Sequence, residues 1–357
     1  MSAPSMKHDD VLGIAAQRRR TTLLLAGLIV ALLVTGLVAV GTGAIGISPA
    51  TVARIIGHQL TGLGDVTWTP PEEAIVWQVR LPRVLLGMLA GSGLAVCGVA
   101  LQAMVRNVLA DPYLLGINSG ASSGAAAAIL FGAGAGFGQY ALSTSAFLGA
   151  LAASLLVFLI ARSGGRVTSM RLLLAGVAVG YALYALTSFL IFASGSAEGS
   201  RSVMFWLLGS LGLARWDALL GFGAAVVVAT IAGLTVTGRQ LDALAVGDET
   251  AHTLGISPDR FRMRLLVLVS LCVGVLVSAS GSIGFVGLVV PHLARRLVGA
   301  RHVRVVPVSA LLGAILLVAA DIVARVLLAP QEIPIGIITA LLGAPFLLIL
   351  IRRLHAQ

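Results

Sequence analysis

The amino-acid sequence predicts an all-α polytopic membrane protein, with about ten transmembrane helices in one compact bundle. Composition is the first reason: 58% of the 357 residues are hydrophobic and only 11% are charged, whereas soluble domains carry about 25% charged residues. The mean hydropathy of +1.02 is the second reason. The third is that apolar runs of near-spanning length recur along the chain, with arginines between them. These observations exclude a disordered protein and argue against a soluble enzyme with one core.

Ten apolar runs supply the predicted helices. The first run follows Arg18-Arg19-Arg20 and is far longer than the roughly 7–15 apolar residues of a signal peptide, so it is predicted to span the bilayer. Residues 1–21 are predicted as a flexible cytoplasmic tail, and 22–357 as a single transmembrane domain. Pro82 fits the first turn of the second helix, where its missing N–H costs nothing. The third and eighth helices are short and glycine-rich. The ten predicted helices cover 22–46, 83–104, 114–133, 141–161, 172–193, 216–237, 263–281, 284–298, 306–328 and 336–351.

Basic residues divide unequally between the two sides of the predicted bundle. Lys7 is the only lysine. If the N-terminus is inside, eighteen of the 24 Lys and Arg residues fall on the inner side, and six fall outside: Arg54, Arg80, Arg83, Arg201, Arg215 and Arg325. The positive-inside rule then predicts that both termini are cytoplasmic. The arginines are spaced between apolar runs rather than gathered on one face, so no nucleic-acid partner is predicted.

The 43 glycines recur at helical spacing. Glycines four residues apart let helix backbones approach closely where no hydrophobic effect drives helices together. Tight packing throughout one bundle is therefore the simplest interpretation. The pairs are Gly87/Gly91, Gly120/Gly124, Gly132/Gly136 and Gly176/Gly180.

Two polar segments are candidate contact sites. In the inner loop between Arg239 and Arg264, residues 248–254 could form about two helical turns suited to docking a partner. From composition alone, an ordinary solvated loop is the preferred interpretation. On the outer side, Arg80 and Arg83 lie three apart and can point the same way. Arginines that snorkel to the membrane interface and a basic pair offered to an acidic partner remain equally open.

The sequence contains no evident energy source of its own. A Walker A loop needs a lysine near the phosphates, and Lys7 lies in the N-terminal tail. Asp321 is the only carboxylate in the interior of a predicted span, and Arg325 lies one turn away, so an ion pair is its simplest explanation. An ion-coupled secondary transporter remains the alternative class, although it usually needs intramembrane carboxylates. A membrane-embedded enzyme is weaker, because no catalytic cluster lies in the spans. No metal site is predicted, because His292 has no second ligand at suitable spacing.

Several stretches, taken together and in order, resemble the FecCD-type permeases, the membrane subunits of binding-protein-dependent ABC importers for iron-siderophores, haem and cobalamin. Each stretch is weak alone, and the ordered set is specific from about residue 72 to the C-terminus. At Val108 the sequence departs from the proline usual in that family. The stretches are Arg80-Leu81-Pro82-Arg83, 107–112, 114–120, Arg171-Leu172-Leu173-Leu174-Ala175-Gly176, 247–255, 284–292, Asp321-Ile322-Val323-Ala324-Arg325 and Glu332-Ile333-Pro334-Ile335-Gly336.

The resemblance implies the type II ABC importer permease fold in the cytoplasmic (inner) membrane of a bacterium. It also implies that two permease subunits form a homo- or heterodimer around a central pathway. Membrane lipid would surround this dimer. Two ATPase subunits would bind ATP and Mg²⁺, and an extracytoplasmic substrate-binding protein would dock on the other side. This chain would then hold no cofactor and perform no covalent chemistry.

The resemblance also implies roles for individual residues. Arg80, Arg83 and Arg325 match positions that pair with acidic residues of the binding protein. The loop at about 239–262 would couple the permease to the ATPase through Gly247, Asp248, Glu249, Ala251, Leu254 and Gly255. Asn107 and Leu109 match a cytoplasmic gate. The helix around 176–188 matches the helix that lines the pathway, and its lining residues would be Gly176, Tyr181, Tyr184 and Ser188. For the two tyrosines, packing or lipid contact is equally open. An iron-siderophore is the expected cargo, with haem second and cobalamin third.

Overall fold

The structure is a computed structural model that describes residues 14–43, 45–162 and 167–354, and within these ranges it is helical without strands. A π-helical turn, Ala74–Arg80, joins α3 to α4, and 3-10 turns at Pro112–Leu115 and Ala135–Tyr140 precede α5 and α6. The α-helices of the described residues are α1 Ile14–Gly41, α2 Pro49–Thr61, α3 Pro70–Glu73, α4 Leu81–Val105, α5 Ile117–Phe131, α6 Ala141–Arg162, α7 Ser169–Ser194, α8 Ala197–Leu207, α9 Ala218–Val236, α10 Gly238–Val246, α11 Asp248–Thr253, α12 Pro258–Ser280, α13 Val286–Val298, α14 His302–Val326 and α15 Ile335–Leu354.

Each of the ten predicted helices has a counterpart in the structure. The short helices α2, α3, α8 and α10 are not among the predicted elements, whereas α11 corresponds to the two helical turns considered for residues 248–254. The predicted boundary at the N-terminus is wrong for residues 14–21, because α1 is already helical from Ile14. The rest of the predicted tail, residues 1–13, lies outside the described residues.

Seven helices of the described chain are long and apolar enough to cross a membrane. The other three counterparts are α5, α13 and α15. The apolar stretch of α15 is shorter and covers Ile335–Leu350. The 15 residues of α5 and the 13 of α13 reach only about 22 Å and 20 Å at 1.5 Å per residue, less than the roughly 30 Å of a hydrocarbon core. These are the two helices that the sequence marks as short and glycine-rich.

The short helices α5 and α13 begin in the interior of the bundle, not at its surface. A Cβ atom on Gly287, in the first turn of α13, would meet the carbonyl oxygen of Leu94, near the middle of α4, at 3.0 Å. The segment that precedes α5 is hydrogen-bonded to the segment that precedes α13. The Tyr113 hydroxyl donates to the Ile283 carbonyl at 2.8 Å and accepts from the Ile283 N–H at 2.7 Å. Irregular backbone at membrane depth is tolerated only where protein groups satisfy it.

Helix α4 is the centre of the bundle, and α9, α12, α13 and α14 all pack against it. Two of the predicted glycine pairs are sites of backbone contact: a Cβ on Gly91 would collide with the Gly313 carbonyl of α14, and one on Gly124 would collide with the Ser145 carbonyl of α6. The predicted Gly132/Gly136 packing is wrong, because both residues lie beyond the end of α5 with no atom within 4 Å of an added Cβ.

We expect Gly91→Ala to destabilise the protein by about 1–3 kcal/mol, because the added methyl forces α4 and α14 apart. The measurement is the thermal denaturation of the detergent-solubilised protein. Gly221→Ala is the matched control, because it lies in α9 with open space around its Cβ position; alanine there should be neutral or stabilising by up to about 1 kcal/mol. Equal melting temperatures for the two variants would contradict the close α4–α14 contact.

Candidate functional site

The bundle has two ends, which we name by their residues. At the Arg83 end α4 begins and α12 and α14 finish, and at the α11 end α4 finishes and α12 begins. Helix α1 finishes at the Arg83 end, and Ile335, the first residue of α15, lines the same cavity as Arg83. Helix α1 therefore begins at the α11 end with Ile14, and α15 runs from the Arg83 end and finishes at the α11 end with Leu354. The two ends of the described chain share one side of the bundle.

A network of charged side chains occupies the Arg83 end. The Arg83 guanidinium is 2.9 Å from Asp321 Oδ1 and 2.9 Å from Glu332 Oε2. Arg325 Nε lies 2.9 Å from Asp321 Oδ2, the i,i+4 pair expected from the sequence. Asp321 is thus held between two arginines in a buried position. Glu332 is 51% exposed, so the network reaches the surface at the Arg83–Glu332 pair.

Arg80 and Arg325 lie beneath the surface, with 7% and 6% of their area exposed. Arg80 Nη1 donates to the Val40 carbonyl at 2.9 Å, and Arg325 Nη2 donates to the Ala39 carbonyl at 2.8 Å. Both arginines therefore satisfy carbonyls at the C-terminus of α1, where the last turn has no intrahelical donors. This corrects the sequence-based picture of exposed basic residues. Pairing of these arginines with a partner is untested and stays a prediction.

The predicted coupling helix forms as α11, and its first residue is tied to the bundle. Arg262 of α12 is 0% exposed, and its Nη2 and Nη1 lie 2.6 Å and 3.0 Å from the two oxygens of Asp248. These charge-assisted bonds from Arg262 hold the pKa of Asp248 below its ordinary value. Arg262 also donates to the Met104 carbonyl, at the end of α4, and to Ser169 Oγ, at the start of α7. One buried guanidinium therefore joins α4, α7, α11 and α12.

The surface of α11 is divided into two parts. Ala251 is fully buried, whereas Leu254 is 66% exposed and Glu249 is exposed. Gly255 follows with a left-handed backbone conformation (φ 76°), in which a glycine is favoured. The predicted coupling residues are thus together at one end, but only some of them are available to a partner.

The predicted gate residues form a tight turn between α4 and α5. The Asn107 side chain accepts from the Leu109 N–H at 2.9 Å, and the Asn107 carbonyl accepts from the Ala110 N–H at 3.1 Å. The turn forms with valine at position 108. Gln102 Nε2 lies 3.3 Å from both the Ala110 and the Gly287 carbonyls, so it ties the turn to α13.

The four predicted pathway residues do not share one face of α7. Tyr181, Tyr184 and Ser188 are exposed and follow one another at helical spacing, so they form a stripe on the outside of the described chain. Gly176 is buried on another face, with its carbonyl next to Gly116 in the turn before α5. Gly176 therefore packs α7 against its neighbour and does not line the stripe.

Arg262 and Gln102 were missed as functional candidates in the sequence. The spacing of Arg260, Arg262 and Arg264 contained a usable signal, because residues two apart on a helix point to different sides. In the structure Arg260 and Arg264 are exposed and Arg262 is buried. Nothing in the sequence around Gln102 indicates that its amide reaches both the turn after α4 and α13.

Three comparisons place the chain among known proteins. It matches the FecCD transport family over residues 12–353. It is 45% identical over 284 residues to the cobalamin import system permease protein BtuC of Halobacterium salinarum, which covers 79% of this chain and 75% of that protein. It is 39% identical over 343 residues to the hemin transport system permease protein HmuU of Yersinia pestis, covering 95% and 98%. A solved structure of a metal-chelate type ABC transporter in an inward-facing conformation gives a TM-score of 0.80 at 34% identity, covering 93% of this chain and 99% of that one.

We expect Asp248→Asn to destabilise the α11 end, because it leaves the buried Arg262 guanidinium without a counter-charge. The cost should be about 1–3 kcal/mol, less than for a fully buried pair because Asp248 is partly exposed. Since the pKa of Asp248 is lowered, this contribution is present at neutral pH and is lost only as pH falls through that lowered pKa.

The measurement is the rate of proteolysis of the loop between α10 and α12, together with the melting temperature. Glu249→Gln is the matched control, because this neighbouring carboxylate on α11 is exposed. If both variants behave like the wild type, the Asp248–Arg262 pair does not hold α11 in place.

Proposed function

From the premise that this chain belongs to the FecCD transport family, we propose that it is the permease through which an iron chelate, specifically an iron-siderophore complex, is imported. As a member of this family it is an ABC importer permease and a multi-pass protein of the inner membrane. The α11 end then faces the cytoplasm, with both termini on that side, as the arginine distribution favours. The observation that carries the proposal is the match of a hemin permease and of a solved metal-chelate type ABC transporter over nearly the whole chain.

The proposed ATPase site is the exposed part of α11. Glu249 projects from this short helix, and the exposed Leu254 follows its last residue; Arg262 fixes the helix to the bundle at Asp248. Two ATPase subunits would bind ATP and Mg²⁺, and closure of their dimer would push this helix. The permease itself would carry no catalytic residues and no cofactor.

The proposed site for the binding protein is the surface above Arg83. Arg80 and Arg325 are occupied by carbonyls of α1, so they would act by holding the rim in place. Arg83 is the member of the set whose partner, Glu332, is exposed. An acidic residue of the binding protein could therefore compete with Glu332 for Arg83.

The proposed pathway lies between this chain and a second permease subunit. Exposed side chains of α7, including Tyr181, Tyr184 and Ser188, continue through the large apolar residues Phe189 and Phe192. Such a stripe suits a bulky cargo that needs few specific contacts. ATP-driven rocking of the two halves would expose this stripe to each side in turn.

Two proteins similar to this chain favour a chelated metal as the cargo. The hemin permease and the metal-chelate transporter both match more than nine-tenths of this chain, and both names refer to a chelated metal. The cobalamin permease is more identical over a shorter length. Haem and cobalamin therefore remain the alternative cargoes. Coupling to an ion gradient is disfavoured, because the buried carboxylate Asp321 is already held between Arg83 and Arg325.

We expect Leu254→Glu to reduce co-purification of the ATPase by tenfold or more, because a charge would replace an apolar anchor at a desolvated contact, a loss of about 1.4 kcal/mol or more. The measurement is the amount of ATPase retained by a tagged permease from native membranes. Leu63→Glu is the control, since this exposed leucine lies in the loop after α2. Equal retention in wild type and Leu254→Glu would remove α11 from the ATPase contact.

The cargo is tested by uptake into proteoliposomes that contain the permease, its co-purified ATPase and the binding protein. We expect ATP-dependent accumulation of a ferric siderophore that equimolar hemin or cobalamin does not suppress. Accumulation of hemin or cobalamin instead would replace the proposed cargo and leave the importer class intact. Uptake driven by an ion gradient without ATP would overturn the importer mechanism itself.

A further inference from the structure

An open cavity of about 530 Å³ lies at the α11 end, beside the Asn107 turn. Its walls come from the end of α4 and the turn that follows, from α10, and from the junction of α13 and α14. The lining includes the side chains of Arg106, Arg295 and Arg301, together with Asn107 and His302. It is separate from the exposed face of α11 and from the stripe on α7.

The cavity has an excess of positive charge. Three arginines line it, and Asp242 is the only carboxylate among the lining residues that the structure describes. Asp242 is already engaged, because its Oδ1 accepts from the His302 N–H at 2.9 Å and contacts His302 Nδ1 at 2.6 Å. Among the described residues, the one ion-pair partner of Arg106 is Asp248, at 3.9 Å. The cavity therefore favours an anion.

Arg295 provides the most specific observation. Its Nη2 donates to Gln102 Oε1, but its Nη1 is enclosed and has no hydrogen-bond partner in the described chain. A buried charged donor without an acceptor costs more than an ordinary unmade hydrogen bond. Arg295 lines the cavity, so a turn of its guanidinium toward the cavity would bring this unpaired donor to an anion bound there.

We propose that this cavity binds an oxyanion of the phosphate class, with Arg295 as the central ligand and Arg106 and Arg301 at its rim. The planar guanidinium fork matches the oxygens of a phosphate. At about 30 Å³ per water molecule in the liquid, the cavity has room for a phosphate and several waters or for a lipid headgroup. Free phosphate and the phosphate of an anionic lipid share this chemistry.

An anion bound in this cavity would stabilise the contact between the turn after α4 and α13. Arg295 holds Gln102, and Gln102 donates to the carbonyls of Ala110, in the turn after α4, and Gly287, in α13. A bound anion would fix the Arg295 side chain and so stabilise the turn against α13. If that turn is the gate, a consequence that rests on the proposed function, the anion would favour its closed arrangement.

The test uses the full-length permease in nanodiscs of phosphatidylcholine, a lipid without net charge. Inorganic phosphate, compared with chloride at matched ionic strength, should raise the melting temperature in a saturable way. Arg295→Gln should weaken the apparent phosphate affinity by tenfold or more, as expected for loss of a charge-assisted hydrogen bond. Arg296→Gln should leave the affinity unchanged, because this adjacent arginine is exposed and does not line the cavity.

A second arm replaces phosphate by nanodiscs that contain phosphatidylglycerol. Stabilisation that Arg295→Gln abolishes and Arg296→Gln retains would identify a lipid phosphate as the ligand. If Arg295→Gln fails to fold, Arg301→Gln, which changes an exposed arginine at the rim, should weaken the same response severalfold. The proposal is overturned if neither anion stabilises the wild type, or if the response is equal in the cavity variants and Arg296→Gln. Neither arm involves an ATPase, so failure of the importer mechanism would not affect the result.

Discussion

Main-chain groups inside a hydrocarbon layer have no water to bind, and this constraint governs where the buried polar side chains of the bundle lie. Arg80 and Arg325 donate to carbonyls at the end of α1, Arg262 donates to the end of α4, and Gln102 donates to the turn after α4 and to α13. Tyr113 and Ile283 exchange two hydrogen bonds where α5 and α13 begin inside the protein. Each polar side chain therefore completes a helix end or an irregular segment. The short helices are possible because these groups surround their lead-in segments.

The same constraint changes the meaning of the arginines at the Arg83 end. Charge at the edge of a membrane span first suggests an exposed contact, but two of the three guanidinium groups are needed by the main chain of α1. Asp321 then balances Arg83 and Arg325 in a position too buried for isolated charges. Only the Arg83–Glu332 pair reaches the surface. A partner at this end would contact the exposed Arg83–Glu332 pair, while the buried Arg80, Arg325 and Asp321 would fix the shape of the surface around it.

At the opposite end, a small exposed helix is connected to larger elements through one side chain. Arg262 contacts Asp248 of α11, the last turn of α4 and the first turn of α7. Under the proposed function, displacement of α11 by an ATPase would reach the turn after α4 and the start of the pathway helix through the same guanidinium. Leu254 would receive the partner, while the buried Ala251 seats the helix.

The sequence by itself determined the helical class, the existence of the ten main helices, the arginine asymmetry and the ordered motifs that resemble the FecCD permeases. These follow from local composition and spacing, because the length and polarity of a segment decide whether it can cross a bilayer. Only the tertiary structure decided that α5 and α13 begin inside the bundle, that Arg80 and Arg325 are buried, and that Gln102 joins three segments. Most partners of those groups are main-chain carbonyls tens or hundreds of residues away. A carbonyl is present at every residue, so no side-chain pattern can indicate which one a buried donor will reach.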